Sequence, residues 1–172
     1  MVSTSRHLRS IATLPLVVTV VIPIVILAAA GNAHPGWGLP TSLAWLPIAC
    51  GILLVAVGLG LFAWTNRLFG RRGRGTLAPW DPPRRLVVAG PYRHVRNPMI
   101  SSVLFVLLGE AVAFGSLALL GWFLVFATFN ACYFPLKEEP SLAERFGADY
   151  VAYRRHVPRW VPQLRPWDPP QE

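Results

Sequence analysis

Residues Met99–Phe134 read MISSVLFVLLGEAVAFGSLALLGWFLVFATFNACYF, an apolar run that only Gly115-Ser116 clearly interrupts. Its two halves, Met99–Phe114 and Leu117–Phe134, read as a tight helical hairpin rather than as one helix. The first half is short, about 16 residues or ~24 Å of helical rise, so it enters a bilayer obliquely or starts late. Upstream lie two further apolar runs. One spans Ile11–Ala30, about 20 residues, which exceeds the apolar core of a signal peptide and matches one bilayer crossing. It reads as a retained anchor, with Pro15 and Pro23 tolerated inside a membrane helix. The other spans Leu43–Trp64, where Gly51, Gly58 and Gly60 allow close helix contact. Trp37 and Trp45 suit the interfacial aromatic belt.

Composition agrees with a membrane protein. The chain has 172 residues, of which 53% are hydrophobic and 14% charged, against about 25% charged in an average soluble domain. The length suits one domain, residues 1–172. Within it, 1–66 holds two N-terminal spans, 67–98 a loop, 99–134 the hairpin and 135–172 a C-terminal segment. The expected fold is all-α and integral to the membrane, with about four transmembrane helices and a C-terminal helical segment. Cys50 and Cys132 fall inside apolar runs at different depths, which predicts two buried thiols, no disulfide and no metal site.

The net charge is +8, and placement explains it. All sixteen Lys and Arg residues lie before the first span, between the second and third, or after the fourth. None lies in the connector at 31–42 or at the 115–116 turn. With four spans, the basic regions share one side, and the positive-inside rule makes that side the cytoplasm. Both termini are expected there, and no nucleic acid is needed to account for the charge. GRRGRG at 70–75 has no strand before it and reads as a solvated basic loop. Trp80 and Asp81, in PWDPP, read as turn and interface residues.

Two polar clusters then meet on the cytoplasmic face, because one hairpin joins them. The first is GPYRHVRNPM (Gly90–Met99). Pro98 suits the first turn of a helix, so the helix start faces this cluster and favours an anion. Arg96 offers a planar fork for carboxylate or phosphate, and Asn97 can both donate and accept. The second cluster is KEEPSLAERFGADYVAYRRHVPRWVP (Lys137–Pro162). Glu138 and Glu139 stand where the fourth span leaves the membrane and suit a cation, an ammonium or ribose hydroxyls. The other reading is that they pair with Arg93, Arg96 or Lys137 and only fix the loops. Juxtamembrane arginines can likewise serve headgroup contact. The tail reads as an amphipathic helix, capped by Ser141 with Glu144, with Leu142, Phe146, Tyr150 and Tyr153 at helical spacing.

In that order, the Gly-x-Tyr turn, the Arg-x-Pro step, the paired glutamates and the Phe-Gly-x-x-Tyr-x-x-Tyr tail ending in Val-Pro resemble one known pattern. It is that of the isoprenylcysteine carboxyl methyltransferase family and its relatives, the phospholipid N-methyltransferases. The resemblance covers roughly residues 86–162. It implies an integral membrane enzyme that uses S-adenosylmethionine, with a cytoplasmic cofactor pocket closed by the C-terminal segment and a lipid-side opening. Carried over, Tyr92, Asn97, Pro98 and Met99 would bind the cofactor from one side, and Glu138, Glu139, Tyr150 and Tyr153 from the other. Arg96 and Glu139 would be the catalytic pair, and Arg96 with Lys137 would orient an anionic acceptor. Asn97 stands where the family has histidine, and Ile100 where it often has tyrosine. Asn97 can hydrogen-bond a cofactor but cannot act as a base at neutral pH.

Methyl transfer from a sulfonium is an in-line displacement, so the protein mainly aligns donor and acceptor and excludes water. The implied acceptor is a lipophilic or lipid-linked carboxylate or thiol. A phospholipid amine is the alternative, and a four-span scaffold the non-enzymatic one. His94 and His156 read as surface or structural residues beside the arginines.

Overall fold

A computed structural model describes residues 14–31, 33–68 and 86–169. The basic N-terminus, GRRGRG at 70–75 and Trp80-Asp81 lie outside the described residues. Those described form helices and connecting turns, with no strand among them. They pack as two compact units: one draws on the chain up to Gly60 and on Ser102–Phe129, the other on Leu61–Ser101 and on the chain from Asn130.

The first unit holds α1 (Leu14–Ala30), most of α2 (Trp45–Leu68), most of α3 (Pro98–Phe114) and most of α4 (Leu117–Tyr133). In α1 a wider π turn covers Val17–Val21. Pro23 has no N–H to offer the carbonyl of the preceding turn, and the Trp122 indole donates to the Val18 carbonyl there at 3.1 Å. α2 and α3 run antiparallel in close contact. A Cβ on Gly51 would fall 2.5 Å from the Gly109 carbonyl oxygen, and one on Gly58 2.7 Å from that of Ser102. Gly60, the third glycine expected at such a contact, has open space around it.

The Gly115-Ser116 interruption is a helix stop. Gly115 has φ +58, and Ser116 N–H and Gly115 N–H bond back to the carbonyls of Ala111 and Val112, the Schellman pattern that satisfies a helix end. Ser116 Oγ then accepts the Leu119 N–H at 3.4 Å and opens α4. The 33–44 connector lies against this stop: Trp37 donates its indole N–H to the Val112 carbonyl at 2.9 Å.

The second unit begins with the end of α2. Gly90 (φ +53), in the left-handed region that favours glycine, sits against the side chains of Leu68 and Trp64. Before it the chain is extended, so alternate residues face opposite ways. Val87 and Ala89 pack with Tyr92 and Leu68, while Leu86 and Val88 join Tyr150, Tyr153 and Val157.

α4 does not stop at Pro135. It widens into a π turn over Phe134–Glu138 and continues as α5 (Glu139–His156). Pro135 and Pro140 each remove an N–H, and the chain absorbs both by widening rather than ending. The Ser141 cap expected from sequence therefore does not form, since Ser141 already lies inside α5. The break comes later, at Gly147 (φ 56, ψ −131), backbone geometry that glycine alone adopts without strain.

Among the described residues two helices are long and apolar enough to cross a membrane, Trp45–Leu68 and Leu117–His156; Leu14–Ala30 and Pro98–Phe114 are apolar but shorter. The second of the long pair has 40 residues, interrupted by the π turn and by the break at Gly147. Its apolar part ends at Phe134, and the polar part begins at Pro135. Large apolar side chains such as Ile52, Leu53, Leu124, Val125 and Phe129 are exposed along α2 and α4. Lipid covers such faces in an all-α membrane protein. Cys50 and Cys132 are free, as expected, but exposed rather than buried.

Candidate active site

The site lies in the second unit, where the turn before α3 meets α5 and the segment after it. The turn is a short 3-10 helix, Gly90–Arg93, and leads to Pro98 at the first position of α3. Pro98 is fully buried. The Asn97 carbonyl accepts both the N–H and the hydroxyl of Ser101, each at 3.0 Å, which fixes the Asn97 backbone at the helix entrance.

Glu139 is the centre of the cluster, 2% exposed. Arg96 Nη1 donates to its Oε1 at 2.9 Å. Arg159 grips it with two bonds, Nε to Oε1 at 2.5 Å and Nη2 to Oε2 at 3.0 Å. Arg154 approaches Oε2 at 3.5 Å from a half-exposed position. Burial alone would push the Glu139 carboxyl up. The Arg159 hydrogen bond and the charges of Arg96, Arg159 and Arg154 outweigh it and hold the group below the usual carboxylate value. Arg96, whose side chain is 10% exposed, also lies beside the Tyr150 hydroxyl.

Two buried donors near this cluster have no partner among the described residues, Arg96 Nε and Asn97 Nδ2. Unmade hydrogen bonds on buried groups are expensive, and both groups are donors. Together with three guanidiniums around one carboxylate, they suit a ligand that brings acceptor oxygens and negative charge, as the carboxylate of an amino-acid cofactor does.

Glu138 behaves differently from its neighbour. It is half-buried on the π turn and forms no ion pair with the described residues. Burial raises its carboxyl, with Arg145 opposing. Lys137 is exposed on the same turn, without an ion pair among the described residues. The structure thus splits the adjacent glutamates into one held by arginines and one open.

The tail is sewn to the turn by its backbone. Arg96 N–H bonds to the Pro158 carbonyl at 2.9 Å, Gln163 N–H to that of His94 at 3.0 Å, and Trp167 N–H to that of Arg93 at 3.0 Å. Tyr153 donates its hydroxyl to the Tyr92 carbonyl at 2.7 Å, Arg93 pairs with Asp168, and the His156 ring stacks on Trp167. His94 Nδ1 meets the Gln163 carbonyl at 2.8 Å, so both histidines are tied into the scaffold. The Tyr92 phenol is buried, which raises it.

Of the residues singled out in the sequence, Arg96, Glu139 and Tyr150 come together, and Tyr92 joins them through Tyr153. Pro98 and Asn97 form the helix entrance, with half-buried Met99 next in α3. Lys137 does not join. Arg159, Arg154 and Gln163 were missed. The available signal was a buried-looking glutamate pair, which needs more cations than Arg96 supplies, with RRHVPR close behind it.

Residues 46–149 match the phospholipid methyltransferase family. The chain belongs to that family. Its chemistry is methyl transfer at a membrane, and the matched segment contains α2 from its second residue, the turn, α3, α4 and both glutamates. The match reaches further upstream than the resemblance noted from sequence and ends one residue before Tyr150. The arginines of the tail that hold Glu139 therefore lie beyond it. No curated protein and no solved structure matches the chain.

Proposed function

We propose that this phospholipid methyltransferase family member transfers a methyl group from S-adenosylmethionine to a lipophilic or lipid-linked acceptor bearing a carboxylate or thiol. The observation that carries this reading is the buried cation-rich cluster at the entrance of α3, with Arg96 Nε and Asn97 Nδ2 unpaired. When bound, S-adenosylmethionine supplies a methyl carbon that an acceptor lone pair attacks in line while the carbon–sulfur bond breaks. The protein's part is placement. Arg96 and Asn97 hold a carboxylate; Glu138 takes an ammonium or hydroxyls; Tyr92, Pro98, Met99, Tyr150 and Tyr153 shape the walls. Glu139 keeps Arg96 in position, and Arg96 favours an anionic acceptor, with Lys137 at the rim. A carboxylate needs no protein base, and a thiol first loses its proton to water and attacks as the thiolate.

A phospholipid amine is the second reading, favoured by the family match and by Glu138, a half-buried carboxyl that burial raises despite Arg145 and that could take the amine proton. Transfer of labelled methyl into fractionated lipids and thiols separates the two. Label in the amine fraction, abolished by Glu138→Gln, would replace the first reading with the second.

The single domain is proposed to cross the membrane four times, with both termini and the site in the cytoplasm. Two observations support this. Every Lys and Arg lies outside the 31–42 connector and the 115–116 turn, and within the first unit those two segments touch. Impermeant thiol labelling of single cysteines tests it. Position 38 and position 165 are expected to react from opposite sides, and reaction from the same side would overturn the topology.

A further inference from the structure

The segment after α5, residues 158–169, has an inner and an outer face. The inner face is accounted for: Gln163 and the Trp167 backbone bind the turn, and Arg159 binds Glu139. The outer face is apolar and uncovered, with Val161 76% and Leu164 96% exposed. Leu136, on the π turn of the same unit, is 71% exposed. Scattered exposed apolar residues are ordinary, but these sit at a particular depth. The Phe134 and Trp160 rings meet edge to face, centroids 5.6 Å apart. Phe134 is the last residue of the apolar run that α4 carries, so if that run crosses a bilayer, Trp160 stands at its end. Tryptophan is enriched at that level. Exposed Arg155 and Arg165 flank the apolar pair, as basic residues do beside anionic headgroups.

We propose that the outer face of this segment is seated in the headgroup–acyl boundary of the bilayer that α4 crosses. Val161 and Leu164 enter the acyl region beside Leu136, with Arg155 and Arg165 among the phosphates. The partner is the lipid surface. The seat holds from outside the same segment that delivers Arg159 to Glu139, so membrane contact and site assembly share one piece of chain. The proposal rests on α4 crossing a membrane and not on the choice of cofactor or acceptor.

The test uses the full chain with Cys50→Ser and Cys132→Ser, an environment-sensitive fluorophore on Val161→Cys or Leu164→Cys, and vesicles of mixed zwitterionic and anionic phospholipid. A label on Leu124→Cys gives the membrane reference, and the fluorophore on free cysteine in buffer gives the aqueous one. Both tail labels are expected to emit near the membrane reference and to lose about half their intensity to lipids carrying a quencher near the head of the acyl chain. Emission matching the aqueous reference would overturn the proposal. So would a blue shift that lipid quenchers leave untouched, which would mean that protein covers this face.

Discussion

Glu139 shows how one buried charge organises a site. A carboxylate this deeply buried is tolerated only when cations and hydrogen bonds replace its hydration. Arg96 and Arg159 do so at close range, whereas Arg154 stands farther off and half exposed. Their contributions should therefore differ. Arg96→Ala leaves Glu139 less compensated and is expected to cost about 3–5 kcal/mol, while Arg154→Ala should cost less than about 1 kcal/mol. Thermal unfolding in detergent measures both. The sign of the pH dependence follows from the lowered carboxyl. Its unfolded value is about 4.3, so its contribution is complete above that pH and is lost as pH falls through the lower folded value. The Glu139 contribution, read as the difference between wild type and Glu139→Gln, is expected to stay level from neutral to about pH 5 and to shrink below it. Glu138, whose carboxyl burial raises, adds the opposite sign above that range. A difference with no acid limb would remove Glu139 from the centre. The Arg96–Glu139 pairing was legible in the sequence because both residues sit in ordered motifs. Arg159 was not, since it follows a proline-ended helix where no periodicity says which way a side chain faces.

At the scale of elements, glycine and proline decide where helices touch, stop and widen. The contacts of Gly51 and Gly58 with α3 leave no room for a methyl group, while Gly60 faces open space. Gly51→Ala is expected to destabilise by about 1–3 kcal/mol through overpacking. Gly60→Ala should be neutral or gain up to about 1 kcal/mol from helix propensity. Melting temperatures of the two variants check this pair, and equal effects would contradict the packing. Composition placed all three glycines on one helix, but which of them face a neighbour depends on the angle at which α3 crosses. The hairpin was legible because Gly115-Ser116 is an unambiguous stop. The end of α4 was not. The apolar run ends at Phe134 and a separate tail helix was expected to start at Ser141, yet the backbone widens through FPLKEEP, and Gly147 breaks the helix instead. The expected position of a cap cannot reveal a π turn, because its cause is the sum of two missing N–H groups rather than a residue signature.

For the whole molecule, apolar runs and charge placement made the membrane class and the helical fold legible, since lipid demands both. Family membership adds methyl transfer. The tail's role as a strap across the turn could not be read beforehand, because it is built from backbone hydrogen bonds that any sequence can make. The account depends on the α3 entrance binding a methyl donor. The most direct measurement is calorimetric titration of S-adenosylhomocysteine into the purified protein in detergent, alongside Asn97→Ala and Arg96→Lys. Saturable binding is expected, weakened about ten- to hundredfold in each variant through the loss of a hydrogen bond to a charged group. Binding that both variants leave unchanged, or no binding to a folded wild-type protein, would contradict it.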